Sequence, residues 1–280
     1  MSTDLDYLAP VTVEDAVAVG TGGPGSVYLL GGTDLLPQMR SGRRSPFRIV
    51  DLKRIAALHE IRETGDGGLS IGAAVPLADV EAHAGVLDGF PLLSECAKTV
   101  GAWPLRQRAT LAGNICNASP AADCAVALLA LEALVSVASA TGVRKVPMAG
   151  FFLGPGQTAL SPGELVTEIV LPAASAGFRG RYLRLSRRKG MDLATVGVLV
   201  GKAAGPPADR WRVALAAVAP TPLRVRAAEQ LLEEKGASAA PEAAALAAAA
   251  CRPITDLRGS AEYRRDMVGV LVRRGVAELG

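Results

Sequence analysis

Between Thr110 and Asp123 the chain reads Thr-Leu-Ala-Gly-Asn-Ile-Cys-Asn-Ala-Ser-Pro-Ala-Ala-Asp, a run of small or hydrogen-bonding side chains with almost no charge. It leads into the most apolar helix expected in the chain, Ala121 to Leu134. Amides at the start of a helix carry partial positive charge, and a loop of Gly, Ala and Ser lets a phosphate come close enough to use them. Thr110, Leu111, Ala112, Gly113 and Asn114 form the candidate cradle, and Gly113 is expected to supply a positive φ or an approach unobstructed by a Cβ. The alternative is an ordinary loop before a core helix, with Ser119 or Asp123 as its cap.

A second stretch answers the first. Tyr28, Leu29 and Leu30 read as the end of a buried strand, Gly31 and Gly32 as a turn, and Thr33, Asp34 and Leu35 as a helix start with Thr33 as N-cap. Strand, glycine turn and helix start again make an anion site, and two such sites suit a pyrophosphate. Gly20 to Gly25 formally matches G-x-G-x-x-G, but it precedes a strand instead of following one and contains Pro24, so it reads as a helix-to-strand loop.

The two motifs, G-G-T-D-L-L and T-L-A-G-N-I-x-N-A-S-P-A-A-D, followed by R-R-K-G-M-D-L-A from Arg187 to Ala194, resemble the FAD-binding subunit of the molybdenum hydroxylases. That family includes carbon monoxide dehydrogenase and xanthine dehydrogenase, and the resemblance covers essentially the whole chain. It implies an α+β protein: a two-subdomain FAD-binding fold of the vanillyl-alcohol oxidase-like type, then a smaller α+β C-terminal domain. It places Tyr28 to Leu35 and Thr110 to Asn114 around the pyrophosphate of a non-covalent FAD, Asp123 on a ribose or adenine edge, and Val100 and Val166 against the flavin. Arg184 stands where many relatives have lysine, so the contact made there is the least securely transferred. Ala112 replaces the first of two glycines, which requires a negative φ there, and Gln107 stands where asparagine is usual. The implied partners are a molybdopterin-binding large subunit and a small subunit with [2Fe-2S] clusters, in a dimer of heterotrimers. Electrons would arrive from the clusters and leave to NAD⁺, a quinone or oxygen. No catalytic triad is evident, and a stand-alone FAD-dependent oxidase or dehydrogenase is the rival reading.

Composition narrows the classes. A formal charge of +3 is too small to imply nucleic acid, and the local excess at Arg179, Arg181, Arg184, Arg187, Arg188 and Lys189 lacks accompanying aromatics. No apolar run reaches the about eighteen residues of a membrane span, and the acidic start lacks a signal-peptide core, so a cytoplasmic protein is expected. Cys96, Cys116, Cys124 and Cys251 have no metal-ligand spacing and read as buried free thiols, while His59 and His83 read as ordinary surface or core residues.

Three units must position these residues: residues 1–54 and 55–173 as the two FAD-binding subdomains, and residues 178–280 as the C-terminal domain. Strands are expected at Ser26 to Leu30, Phe47 to Leu52, Leu69 to Ala73, Leu165 to Leu171, Arg179 to Arg187, Ala194 to Gly201 and Trp211 to Val218, with a hairpin from Val135 to Val146. Helices are expected at Thr12 to Val19, Pro76 to His83, Pro91 to Val100, Leu223 to Glu234, Pro241 to Cys251 and Ser260 to Arg274. Strand alternation puts Tyr182 and Arg184 on one face and Leu183 and Leu185 on the other.

Overall fold

The computed structural model describes residues 5–21, 25–188, 190–203 and 209–280. Strands β1 (Asp6–Leu8), β2 (Ser26–Leu29) and β3 (Arg48–Asp51) form a parallel sheet with β3 in the centre. Parallel neighbours need crossovers, and helices α1 (Val13–Gly20) and α2 (Leu35–Arg40) supply them. Thr12 caps α1 through its Oγ1, which accepts the Asp15 amide at 3.1 Å. Gly22, Gly23 and Pro24, from the glycine-rich stretch before β2, lie outside the described residues.

A five-stranded antiparallel sheet follows, built from β4 (Ile61–Glu63), β5 (Leu69–Gly72), β6 (Leu134–Ser139), β7 (Gly142–Pro147) and β10 (Leu165–Leu171) in the order β4-β5-β10-β6-β7. Strands β8 (Phe152–Gly154) and β9 (Gln157–Thr158) pair separately. Between β5 and β6 come α3 (Leu77–Ala82), α4 (Ala84–Gly89), α5 (Pro91–Thr99), α6 (Trp103–Arg106), α7 (Leu111–Cys116) and α8 (Asp123–Ala130). In the third unit β11 (Arg179–Leu185), β12 (Val196–Ala203), β13 (Arg210–Ala216) and β14 (Leu223–Arg224) form an antiparallel sheet, and α9 (Arg226–Lys235), α10 (Ala240–Ala250) and α11 (Ala261–Ala277) cover it.

That last sheet is buried on both faces, and its alternation separates two cores. Val196, Val198 and Val200 of β12 and Trp211, Val213 and Leu215 of β13 pack on α9, α10 and α11. Leu199, Ala203, Ala214 and Ala216 point the other way, into the larger core shared with α5 and α8. The expected alternation of β11 holds: Tyr182 joins the larger core, while Leu183 and Leu185 pack against the smaller one.

Several boundaries differ from expectation for local reasons. The apolar helix begins at Asp123 and stops at Ala130, and Leu134 already belongs to β6. Glu132 takes a φ of +53°, with Ala133 N–H donating to the Leu128 carbonyl at 2.9 Å and Glu132 N–H to that of Leu129 at 3.2 Å. This is a Schellman ending, written here without the usual glycine. Leu223 and Arg224 pair with β13 before α9 begins, α7 is a short helix within a stretch expected as a loop, and α4 and α6 are short helices between the expected elements. Ala112 lies inside α7, so its φ is negative as required. Among the described residues no helix is long and apolar enough to cross a membrane.

The C-terminal unit carries a buried ion pair. Arg224 donates Nε to Glu229 Oε1 at 2.7 Å and Nη2 to Oε2 at 2.8 Å, the two side chains being 7% and 4% exposed. Glu229 also accepts the Val213 amide of β13 at 2.9 Å. Removing one partner strands the other charge, so Arg224→Ala is expected to cost about 3–5 kcal/mol in urea unfolding, whereas replacing both by leucine leaves chiefly the Val213 amide unpaired and costs about 1–3 kcal/mol. A loss below about 1 kcal/mol for the single variant would contradict this account.

Candidate functional site

A cavity of about 780 Å³ lies where the parallel sheet, the helices of the middle unit and the loop after β11 meet. This is within the size range of cofactor pockets. Of the residues singled out in the sequence, Tyr28, Leu29, Leu30, Gly31, Gly32, Thr33, Asp34, Leu35, Val100, Thr110, Gly113, Asn114, Ser119, Asp123 and Val166 line it. Leu111, Ala112 and Arg184 do not: the first two belong to α7 and are buried on its inner side, and Arg184 stands behind Asp123.

The first wall is the β2-to-α2 turn. Gly32 has a φ of +73°, which a side chain rarely adopts, and the amides of Gly32, Thr33 and Asp34 find no acceptor on the described residues. Thr33 is not the N-cap. Asp34 occupies that position, without a side-chain capping bond, and its burial pushes its carboxyl above the usual range. The turn is braced from outside: Lys53 Nζ donates to the Leu30 carbonyl at 3.3 Å and to Asp51 Oδ1 at 2.7 Å. Tyr28 donates its hydroxyl to the Gly163 carbonyl at 2.8 Å, and burial pushes that phenol up to about 12.

The second wall is α7. Thr110, not a glycine turn, starts it: Thr110 Oγ1 accepts the Gly113 amide at 3.0 Å. Gly113 is therefore helical, and the expectation of a positive φ fails there; its lack of a side chain leaves that face of the helix open to the cavity. Asn114 Oδ1 is buried with no partner on the described residues. A Cβ on Gly31 would overlap the Arg108 carbonyl, so the turn and the segment leading into α7 touch backbone to backbone. Gln38 of α2 adds a bond to Asn117 Oδ1 at 3.2 Å.

Asp123 closes the far end. It is neither an N-cap nor a free surface carboxylate: Ala122 is the N-cap of α8, and Ser119 Oγ serves the Ala121 amide at 3.2 Å instead. Asp123 Oδ1 accepts the Tyr182 hydroxyl at 2.6 Å and Arg184 Nε at 3.1 Å. Burial pushes its carboxyl up, against the opposing pull of Arg184 and Tyr182. Arg184 also donates to the Asp192 carbonyl, in the loop whose Arg187, Arg188, Met191 and Leu193 line the cavity. Lys189 of the same loop lies outside the described residues.

Val100 and Val166 lie on the cavity wall from two directions. Arg106 Nη1 donates to the Val100 carbonyl at 3.2 Å while its Nε pairs with Glu81 Oε2 at 2.7 Å, which holds the Val100–Gly101 turn in place. Val166 sits at the start of β10, just before a bulge.

Sequence reasoning missed Tyr182, which carried no motif signal beyond its place on an arginine-rich strand, and Cys116, which was expected to be buried. Cys96, Cys124 and Cys251 are buried, but Cys116 is open to the cavity. Protein surrounds it on other sides and pushes its thiol up to about 12. His59 is exposed, and His83 Nδ1 accepts the Gly85 amide at 3.2 Å to cap α4.

Residues 3–174 match the family described as the FAD binding domain in molybdopterin dehydrogenase, and residues 181–279 match the CO dehydrogenase flavoprotein C-terminal domain. The carbon monoxide dehydrogenase medium chain of Hydrogenophaga pseudoflava is 38% identical over 276 residues, covering 97% of this chain and 96% of its own length. The glyceraldehyde dehydrogenase medium chain of Sulfolobus acidocaldarius is 31% identical over 99% of this chain and 98% of its own. A solved structure of carbon monoxide dehydrogenase from Hydrogenophaga pseudoflava superposes with a TM-score of 0.92 at 37% identity, over 98% of this chain and 96% of that one. The helix-start cradles, the α+β architecture and this end-to-end similarity lead to one conclusion: the chain belongs to the family of FAD-binding medium subunits of the molybdenum hydroxylases, oxidoreductases of which carbon monoxide dehydrogenase is an example.

Proposed function

We propose that this chain is the electron-transfer subunit of a multi-subunit molybdenum hydroxylase, taking electrons from [2Fe-2S] clusters of a partner and delivering them to an external acceptor. The observation that carries the reading is the pair of helix starts facing one cavity, with three unsatisfied amides on one and an orphaned Asn114 Oδ1 on the other. Buried polar groups without partners are costly, and a dinucleotide supplies both kinds of partner: phosphate oxygens for the amides and hydroxyl or amine donors for the asparagine. FAD, when bound, supplies the redox chemistry.

The chain's own residues bind and orient it. Gly31 to Asp34 present amides to a phosphate at the start of α2, and Thr110, Gly113 and Asn114 present the start of α7. Leu111 and Ala112 serve from beneath, as the packed floor of that helix. Ser119 and Asp123 offer acceptors at one end of the cavity, while Val100 and Val166 offer apolar wall. Arg184 acts on Asp123 and not on the cofactor directly.

The relatives' names, medium chain and medium subunit, describe one chain of several, and this supports partners here: a molybdopterin-binding large subunit and an iron–sulfur small subunit, paired as a dimer of three-chain units. A stand-alone flavoenzyme would need acid–base groups beside the flavin. The cavity wall includes no histidine among the described residues; of its four acids, Asp123, Glu164 and Asp192 are engaged by arginine, and Asp34 sits at the start of α2 among the amides of the first turn.

Gly32→Val is expected to weaken FAD binding about tenfold or more, since it adds a branched Cβ at a positive φ and crowds the amides that would bond phosphate. The added Cβ would meet only the flexible ends of Leu29 and Leu36, so the variant folds. Titrating flavin fluorescence measures the dissociation constant, and a value equal to wild type would remove Gly32 from the phosphate site. In a separate anaerobic test, the purified chain loaded with FAD is mixed with substrates of known molybdenum hydroxylases. Its visible absorbance is expected to stay constant until the molybdopterin and iron–sulfur subunits are added. Bleaching by a substrate without them would favour the stand-alone enzyme.

A further inference from the structure

Asp123 uses only one of its carboxylate oxygens inside the protein. Oδ1 accepts both the Tyr182 hydroxyl and Arg184 Nε, while Oδ2 has no partner among the described residues. Oδ2 is also absent from the fully buried unsatisfied atoms, and Asp123 lines the cavity, so this second oxygen opens onto it. The geometry that produces this is specific. Tyr182 reaches Asp123 past β12, where Gly197 leaves room: a Cβ on Gly197 would overlap the phenol oxygen. The Tyr182 backbone amide is meanwhile fixed by Glu95 of α5 at 3.0 Å.

We infer that Tyr182 is a positioning residue for the cofactor: with Arg184 it holds Asp123 Oδ1 so that Oδ2 faces the cavity as an acceptor for a hydroxyl or amine donor on the nucleotide half of FAD. The inference rests on the reading that the cavity takes FAD. It gives the C-terminal unit, which contributes both donors, direct control over affinity at a site built mainly by the other two units.

The groups facing Asp123 are few. Tyr182 and Arg184 come from β11, Cys96 from α5 and Cys124 from α8 itself, while Glu95 of α5 stands behind them against Cys96 and the Tyr182 amide. Burial pushes both thiols and the phenol up, so these three stay neutral at ordinary pH. The same burial raises the Asp123 carboxyl, and its two donors oppose that rise. The ionised carboxylate is the better acceptor. FAD affinity is therefore present above the Asp123 value and lost as pH falls through it. Without the phenol, Asp123 keeps its burial and loses a donor to its charged form, which moves the loss to higher pH.

The test is the FAD dissociation constant of the full chain, measured by flavin fluorescence from about pH 4, the ordinary carboxyl value, to about pH 8. Tyr182→Phe is expected to move the midpoint of the acid loss upward by about one pH unit, a difference of about tenfold in affinity on the falling limb. Gly197→Ala, which displaces the hydroxyl without removing it, is expected to move it the same way, and this covers the case in which the phenylalanine variant fails to fold. Asp123→Asn is expected to give weak binding with a flat profile. A purely structural clamp would lower melting temperature and leave the midpoint in place, so an unmoved midpoint in either folded variant overturns the inference. So does an Asp123→Asn variant that keeps the wild-type profile. Wild-type chain that binds no FAD at any pH would instead remove the functional reading beneath it.

Discussion

Helix α8 has no exposed residue, and a helix surrounded by protein must have both of its ends satisfied by protein. That requirement shapes its surroundings. At the N-terminus Asp123 complements the helix dipole and is held by Tyr182 and Arg184; at the C-terminus Arg212 Nε donates to the Ala130 carbonyl at 3.1 Å. The first pair comes from β11 and the last from β13, so one sheet of the C-terminal unit serves both ends of a helix belonging to the middle unit. Arg212 is in turn stacked over Phe178 at 4.5 Å and neighbours Glu132 and Glu233. On β12 and β13 the side facing the helix carries the small residues Gly201, Ala203, Ala214 and Ala216 together with Leu199 and Arg212. Close packing and the Arg212 bond together fix the relative position of the two layers.

The cavity is a by-product of the same arrangement. The loop from Asn117 to Ala122, which leads into α8, is pinned by the C-terminal unit through the Ala217 amide on the Pro120 carbonyl at 2.8 Å. Ala217 holds a φ of +64°, and its own carbonyl is taken by buried Arg264 at 2.9 Å. A strained residue kept by two bonds on either side marks a place where geometry is over-determined. The loop it holds forms part of the cavity wall beside the second cradle.

Much of this was legible in the chain. Period-two runs located the long strands closely, Leu165 to Leu171 to the residue, because strand alternation depends on local chemistry alone. The first glycine turn and the helix after it were legible for the same reason, whereas the second stretch was read as a loop before the apolar helix and holds the start of α7. What escaped was set by partners distant in sequence. The Schellman ending at Glu132 lacks its glycine because Arg224 and Arg226 stabilise that residue from the far side of the fold. Tyr182 has no local feature to distinguish it, and its role comes from Asp123, 59 positions away. Thr110 reads as part of a loop, although its spacing to Gly113 is that of a cap, because the glycine suggests a turn more strongly than the threonine suggests a helix.

The contact between Gly31 and the Arg108 carbonyl sets a gauge. With no side chain between the two segments, the separation of the two helix starts is fixed by the thickness of backbone, the least variable dimension a protein has. Residues around either cradle can drift without changing that spacing, as the alanine at position 112 illustrates, but a single methyl at position 31 would widen it. The distance between the two helix starts is thus set by one missing side chain.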